Sequence, residues 1–384
     1  MKRILIFILT LVITTSLITI PTFGSEPQIQ AESAILMEAS TGQIIYEKNA
    51  DEVLSPASIT KIMTLLLIFD ELKAGNIALT DTVTVSEHAA SMGGSQVFLE
   101  AGEVQTVETM IKCIAIASAN DACVAMAEHI KSSEAAFVDA MNERAKGLNM
   151  TNTNFVNSCG LDAEGHMTTA RDVAIMSREL ITCHPEIHEY STIWMDSFTH
   201  VTRKGEQEFT LSNTNKLLKQ YEWATGLKTG STSLAKFCLS ATAKKDGVEL
   251  ISVVMASPTG KTRVSDSITL LNYGYSLCNL YKDDQMPKLS PVPIKNSTKG
   301  SVSCKYEKDF SYLFLENIDA TKITKDLEYI KSPKAPIKKG DVMGQLIYKY
   351  ENEIIGTVDI VATEDAKEAK YGDFLKLLFK ELMA

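Results

Sequence analysis

The segment "SPASITKIMTLLLIFDEL", residues 55–72, constrains the fold more than any other stretch. From Ser58 to Leu72 it reads as a helix that is apolar almost all round, and such a helix has no face to give to water. Other elements must enclose it, which excludes a small or single-layered fold. A chain of 384 residues, 45% hydrophobic and 22% charged, can build that enclosure, and its length suggests two domains more readily than one.

The surrounding patterns indicate what encloses it. "SAILMEASTGQIIYEKNAD" reads as two short strands turned at Ser40–Gly42. Helical periodicity covers 107–117, 121–131, 134–147 and 170–182, with turn-rich segments between. Strand patterns follow at about 193–201, 207–211, 223–231, 235–243 and 248–256, then a helix at about 263–280. Strands, a block of helices, more strands and a last helix predict an antiparallel sheet with helices packed on it, not repeated βαβ units.

At "KDDQMPKLSPVPIKNSTKGS", 282–301, three prolines and many polar residues change the composition, and the domain boundary is placed there. From 286 to 366 the chain is strand-like and Gly-punctuated, with alternation around Asn352 that reads as a hairpin. It is expected to form a small β domain, a sandwich.

Both ends have their own character. Lys2 and Arg3, an apolar run from Ile4 to Ile20, then Pro21 and small residues to Gly24 have the layout of a secretory signal cleaved near Gly24. The alternative is an uncleaved anchor at the short limit of a membrane span; either way the bulk of the chain is expected to be exported. As a helix, 367–384 would align Tyr371, Phe374, Leu375, Leu378, Phe379 and Leu382 on one face, with Asp373, Lys376 and Lys380 opposite. That suits a helix lying in a membrane surface, the alternative being a helix docked on the chain's own β domain.

The net charge of −10 and the absence of a basic block give no surface for tracking phosphates, so no nucleic-acid partner is expected. Cys113, Cys123, Cys159, Cys183, Cys238, Cys278 and Cys304 are scattered and without C-x-x-C spacing. They match neither a zinc pattern nor a disulfide framework, and several sit in apolar runs as small hydrophobes. Structural disulfides, a catalytic thiol, a metal and a cofactor are not expected.

Ser58 and Lys61 carry the first chemical signal. A serine hydroxyl is a poor nucleophile until a base takes its proton, and residues i and i+3 of a helix share a face. Pro56 and Ser58 resemble a helix start, where free N–H groups and the positive end of the dipole favour an oxyanion. Ile62, Met63, Leu65 and Leu66 would desolvate the Lys61 ammonium, which helps a lysine act as a base. Alone, the pair equally fits a capped helix with a snorkelling lysine.

Two further elements shift that balance. Ser118-Ala119-Asn120, where one helical pattern ends and the next begins, could relay a proton and hold a substrate amide; helix caps are the bland reading. Lys228-Thr229-Gly230 falls on a predicted strand, where Gly lets a ligand lie against the edge; a plain edge strand is the alternative. S-x-x-K, S-x-N and K-T-G in this order are far rarer together than singly.

With "SPASITKIMT", "SANDA", "GLDAEGHMTTARD", "NTNKLL" and "GLKTGST", the chain resembles the serine-type D-alanyl-D-alanine carboxypeptidases of peptidase family S11, the low-molecular-mass penicillin-binding proteins. The resemblance implies an α+β, β-lactamase/transpeptidase-like domain over 25–285, a β-sandwich domain over 286–366 and an amphipathic tail over 367–384. It implies removal of the terminal D-alanine from peptidoglycan stem peptides through an acyl-enzyme on Ser58, with β-lactams as covalent inhibitors. In that pattern Lys61 is the acylation base and Ser118 relays a proton to the leaving amine. Asn120 holds the substrate amide, and Lys228 and Thr229 of the Lys228-Thr229-Gly230 motif bind near the terminal carboxylate. The N–H groups of Ser58 and Ser231 form the oxyanion hole, and Arg263 assists carboxylate recognition. Glu164 and His166 are read as loop-structuring residues. A β-lactamase, a D,D-endopeptidase and a non-catalytic wall-binding protein are the alternatives.

Overall fold

The computed structural model describes residues 26–202, 205–316, 318–373, 375 and 379. The leader read at 1–24 lies outside them, as do Phe374, Lys376, Leu378, Lys380 and Leu382 of the tail. The chain divides between Gly274 and Tyr275. The division precedes the proline-rich segment at which composition places the boundary, because Asn279–Lys282 already pairs with a strand of the second unit.

Five antiparallel strands form the spine of the first unit. They are β1 (Ser33–Glu38), β2 (Ile44–Lys48), β7 (Ala224–Thr232), β8 (Lys236–Lys245) and β9 (Val248–Ser257), ordered β2-β1-β9-β8-β7. β1 is buried along its whole length because both sheet faces are covered, which explains why it reads as an apolar run without alternation. Ile35, Met37, Ile251, Val253 and Met255 face the helical layer and join its core. Leu36 and Leu250 point the other way, towards the final helix α8 (Gly260–Leu277), where Gly274 leaves them room.

The helical layer comprises α1 (Lys61–Ala74), α2 (Glu87–Ala90), α3 (Val107–Ala115), α4 (Asn120–Lys131), α5 (Glu134–Gly147), α6 (Ala170–Cys183) and α7 (Ile187–Ser191). α6 lies on β1 and β9, and α1 packs against α3, α4, α5 and α6. Every residue of α1 from Lys61 to Phe69 is buried, as its all-round apolarity requires. Two ladders, β3 (Thr82–Thr84) with β4 (Val104–Thr106) and β5 (Met195–Thr202) with β6 (Gly205–Ser212), complete the unit. The three-residue β3 and β4 carry too little alternation to stand out in the sequence.

Among its described residues the second unit is built mainly of strands. β10 (Asn279–Lys282) pairs with β14 (Ser311–Phe314), and β11 (Val292–Pro293) with β12 (Ser301–Val302). A four-stranded sheet has the order β13 (Cys304–Tyr306), β17 (Glu353–Ala362), β16 (Val342–Tyr350), β15 (Ile323–Tyr329). Glu351 and Asn352, at φ 49° and 75°, form the β16–β17 turn, the two left-handed residues of a tight hairpin.

Candidate active site

Ser58 sits in a 3-10 turn, Ala57–Thr60, that runs into α1 with Lys61 as its first residue. The sequence suggests one continuous helix from Ser58; the observed tighter turn makes i and i+3 eclipse, which stacks Lys61 directly over Ser58. Lys61 Nζ lies 2.9 Å from Ser58 Oγ. Lys61 is fully buried, while Ser58 keeps partial exposure at the end of the core helix.

The remaining contacts of Lys61 define what its amine can do. Nζ donates to Asn120 Oδ1 at 2.6 Å and to the Cys159 carbonyl at 2.6 Å. A neutral amine has two N–H bonds and one lone pair. Once the amine is deprotonated, the two carbonyls hold its hydrogens and its lone pair faces the Ser58 hydroxyl. Asn120 is held in turn, since its Nδ2 donates to the Gly93 carbonyl at 2.7 Å.

Ser118 lies in the connection between α3 and α4 at φ 62°, a left-handed conformation unusual for a residue with a Cβ. Lys228 Nζ donates to Ser118 Oγ at 2.8 Å and to the Thr229 carbonyl at 3.1 Å. Burial, reinforced by the charge of Lys61, holds the Lys228 amine well below the usual lysine range. The Thr229 and Thr214 hydroxyls are 2.7 Å apart, which ties the "NTNKLL" segment to β7.

Gly230 is dictated by packing. A Cβ there would stand 2.9 Å from the Pro56 carbonyl oxygen and 3.1 Å from the Ile59 nitrogen, so the strand meets the Ser58 turn only without a side chain. Next along β7, Ser231 is exposed beside that contact. Arg263 of α8 reaches over the same sheet edge: its Nη1 donates to the carbonyls of Gly230 at 2.9 Å and Cys238 at 3.2 Å. The structure thus brings Ser58, Lys61, Ser118, Asn120, Lys228, Thr229, Gly230 and Arg263 into one contiguous network, with Ser231 the next residue along β7.

Several contributors carry no sequence signal of their own. The Cys159 carbonyl acts through its backbone, and Thr214 belongs to no obvious catalytic pattern. Asp121 is fully buried, and its carboxylate accepts from the N–H groups of Val97 at 3.1 Å and Leu99 at 3.1 Å, holding the 95–99 loop against Asn120. Glu164 is exposed on its loop, whereas His166 is buried and bonded on both ring nitrogens, to the Val156 N–H and to Thr60. Burial also pushes the Cys123 thiol up to about 12 and the Cys238 thiol up to about 11, so neither ionises near neutral pH.

Residues 21–259 match the family described as D-alanyl-D-alanine carboxypeptidase, and 275–368 match the C-terminal domain of penicillin-binding protein 5. The chain is 41% identical to the D-alanyl-D-alanine carboxypeptidase DacF of Bacillus subtilis, over 92% of this chain and 90% of that protein. Identity to DacC of Escherichia coli is 33%, with 92% and 90% covered. Among solved structures, penicillin binding protein 5 from Haemophilus influenzae superposes with a TM-score of 0.71 at 31% identity, covering 90% of this chain and 99% of that one. The Streptomyces K15 DD-transpeptidase superposes at 0.62 and 29% identity, covering 66% of this chain and all of its own.

Proposed function

The chain belongs to the D-alanyl-D-alanine carboxypeptidase family, peptidase family S11, and is a serine D,D-carboxypeptidase; on that premise we propose that Ser58 is its nucleophile and Lys61 its base. The observation that carries this reading is the environment of Lys61 Nζ, which has two carbonyls to receive its hydrogens and the Ser58 hydroxyl at 2.9 Å facing the remaining position.

Ser58 Oγ attacks the carbonyl carbon between the two terminal D-alanines while its proton passes to Lys61 Nζ. The carbonyl oxygen becomes an oxyanion, stabilised by the N–H groups of Ser58 and Ser231. The C–N bond then breaks, and Ser118, backed by Lys228, passes a proton to the departing amine, so that D-alanine leaves neutral at nitrogen. Water adds to the ester carbon and gives up one proton to restore the Ser118 hydroxyl, the Ser58–acyl bond breaks, and Ser58 Oγ takes back from Lys61 the proton it gave, so the product leaves as the acid. Thr229 and Lys228 bind near the substrate's terminal carboxylate, and Asn120 orients both Lys61 and the substrate amide. Arg263 acts from behind Gly230, whose carbonyl it holds. A β-lactam offers its strained amide to the same serine and remains as the acyl-enzyme.

The full reading extends to the cell surface. Residues 1–24 act as the export signal, 25–274 as the catalytic domain and 275–366 as the β domain, with 367–384 resting on the outer face of the cytoplasmic membrane. Exposure of Tyr371, Leu375 and Phe379 supports the last point. No helix among the described residues is long and apolar enough to cross a membrane.

The test is covalent labelling by a fluorescent penicillin together with D-alanine release from a peptide ending in D-Ala-D-Ala. Both are expected in the wild type and lost in Ser58→Ala; labelling that survives Ser58→Ala would overturn the assignment. Acyl-enzyme lifetime separates the β-lactamase alternative: minutes for a carboxypeptidase, well under a second for an efficient β-lactamase, each tenfold step being about 1.4 kcal/mol of barrier.

A further inference from the structure

The peptide group between Ala57 and Ser58 holds two atoms that matter to catalysis. A trans peptide is planar, so the Ala57 carbonyl and the Ser58 N–H point in opposite directions, and fixing one aims the other. The Ser58 N–H is an oxyanion-hole donor in the function proposed above, on which this inference rests. Ala57 has φ 47°, a conformation a residue with a Cβ adopts only when its surroundings enforce it. Two contacts do so. On one side the Thr60 hydroxyl donates to the Ala57 carbonyl at 2.8 Å. On the other, Gly160 lies so close that an added Cβ would come within 1.9 Å of that oxygen.

Thr60 is itself held. Its Oγ1 lies 2.8 Å from His166 Nε2, and His166 Nδ1 accepts from the Val156 N–H at 2.9 Å. With Nδ1 occupied as an acceptor, the neutral ring carries its proton on Nε2 and donates it to Thr60. Thr60 then has a single hydrogen, directed at Ala57. Burial pushes the imidazole down to about 4 against the opposing influence of Asp162, so the ring is neutral near pH 7. His166 and Thr60 are 4% and 0% exposed and the Phe155 ring packs at 6.0 Å, so water does not compete for these bonds.

We propose that His166 is a positioning residue for catalysis: through the Thr60 hydroxyl it fixes the Ala57–Ser58 peptide and thereby aims the Ser58 N–H at the developing oxyanion. The chain runs Val156 N–H to His166, His166 to Thr60, and Thr60 to Ala57. It links the "GLDAEGHMTT" loop to the nucleophile without contact with substrate. What the linkage requires of position 166 is one acceptor and one donor at the two ends of a side chain, which glutamine also supplies.

The test compares His166→Leu, His166→Gln, Thr60→Val and the Leu/Val double variant. Each is measured for acylation rate by benzylpenicillin, for kcat and KM on a D-Ala-D-Ala peptide, and for thermal stability. His166→Leu and Thr60→Val are each expected to slow acylation about 10- to 100-fold and to lower kcat, with KM held within about twofold. His166→Gln is expected to recover most of the rate, and the double variant to be no slower than the slower single one, since both break one chain. Folded variants that lose thermal stability but acylate at the wild-type rate overturn the proposal, as does a double variant whose losses multiply. Should His166→Leu not fold, Thr60→Val and His166→Gln still decide. Wild-type enzyme that is not acylated on Ser58 would overturn the parent assignment instead, so the two failures are distinguishable.

Discussion

Gly160→Ala perturbs the nucleophile while leaving every polar side chain of the site in place. The new Cβ would lie 1.9 Å from the Ala57 oxygen, 2.4 Å from the Ala57 carbonyl carbon and 2.9 Å from the Ser58 nitrogen, whereas ordinary contact begins at 3.4 Å. The difference, 3.4 − 1.9 = 1.5 Å, must be made up by moving the 159–161 loop, the Ala57–Ser58 peptide, or both. Gly160 also has φ 89°, where a Cβ adds about 1–2 kcal/mol of its own. With about 1–3 kcal/mol for forced repacking, the total is about 2–5 kcal/mol, or a Tm fall of about 5–15 °C in a unit of this size. The catalytic effect is larger in proportion. A misplacement of about 1 Å costs about 100-fold in rate, and loss of one oxyanion donor about 10²–10³-fold. Acylation by a fluorescent penicillin, followed at a temperature where circular dichroism shows the variant folded, is expected to slow at least about 100-fold. A folded Gly160→Ala enzyme that acylates within threefold of wild type would show that the position of this peptide does not limit the chemistry.

Lys228→Met should abolish most acylation and change how stability depends on pH. The folded chain holds the Lys228 amine below its ordinary value of 10.5, so between the two values the unfolded chain binds more protons and stability rises with pH. Urea melts of the wild type should show that rise on the alkaline side, and the methionine variant should flatten it; an unchanged slope would refute the assignment of the shift to burial. Arg263→Lys keeps the charge but loses the planar fork that reaches two carbonyls, and should slow acylation about tenfold, with a rate equal to wild type counting against a role for the Gly230 contact. Removing 367–384 should release the protein from anionic vesicles while leaving acylation intact; vesicle binding that persists would place the contact elsewhere.

The sequence marks α1 and the three motifs because each rests on local rules. All-round apolarity announces a buried helix, i to i+3 spacing announces a shared face, and a Gly in a strand announces a close approach, here of the Ser58 turn to β7. The starts of α5 and α6 are legible for the same reason, Ser133 and Thr169 being N-cap residues whose hydroxyls accept from the Ala136 and Asp172 N–H groups. What the sequence does not reveal depends on long-range placement. Nothing in "NSCG" indicates that the Cys159 carbonyl accepts from a lysine 98 residues earlier. Nothing in "SIT" indicates that Thr60 meets a histidine 106 residues later. The 3-10 geometry of Ala57–Thr60 is likewise invisible, since it arises from Gly160 and Gly230 closing on the turn from elsewhere in the chain.

The charge distribution of the site gives these pieces a common logic. Lys61 and Lys228 are 0% and 1% exposed, and among the described residues no carboxylate bonds either amine; their acceptors are hydroxyls and carbonyls. Burial therefore opposes the charged form of Lys228. In the proposed function the substrate's terminal carboxylate brings a negative charge to the Lys228 side of the site. Its arrival favours the protonated form of Lys228, which burial otherwise opposes. In a site with Lys61 already bonded to two carbonyls, the added negative charge falls on the Lys228 side, where a proton is needed for the leaving amine. A non-hydrolysable D-Ala-D-Ala analogue should therefore raise Tm as its concentration passes Kd. The rise should vanish when the terminal carboxylate is amidated, and an amide analogue that stabilised the protein equally would remove electrostatics as the reason for two buried lysines.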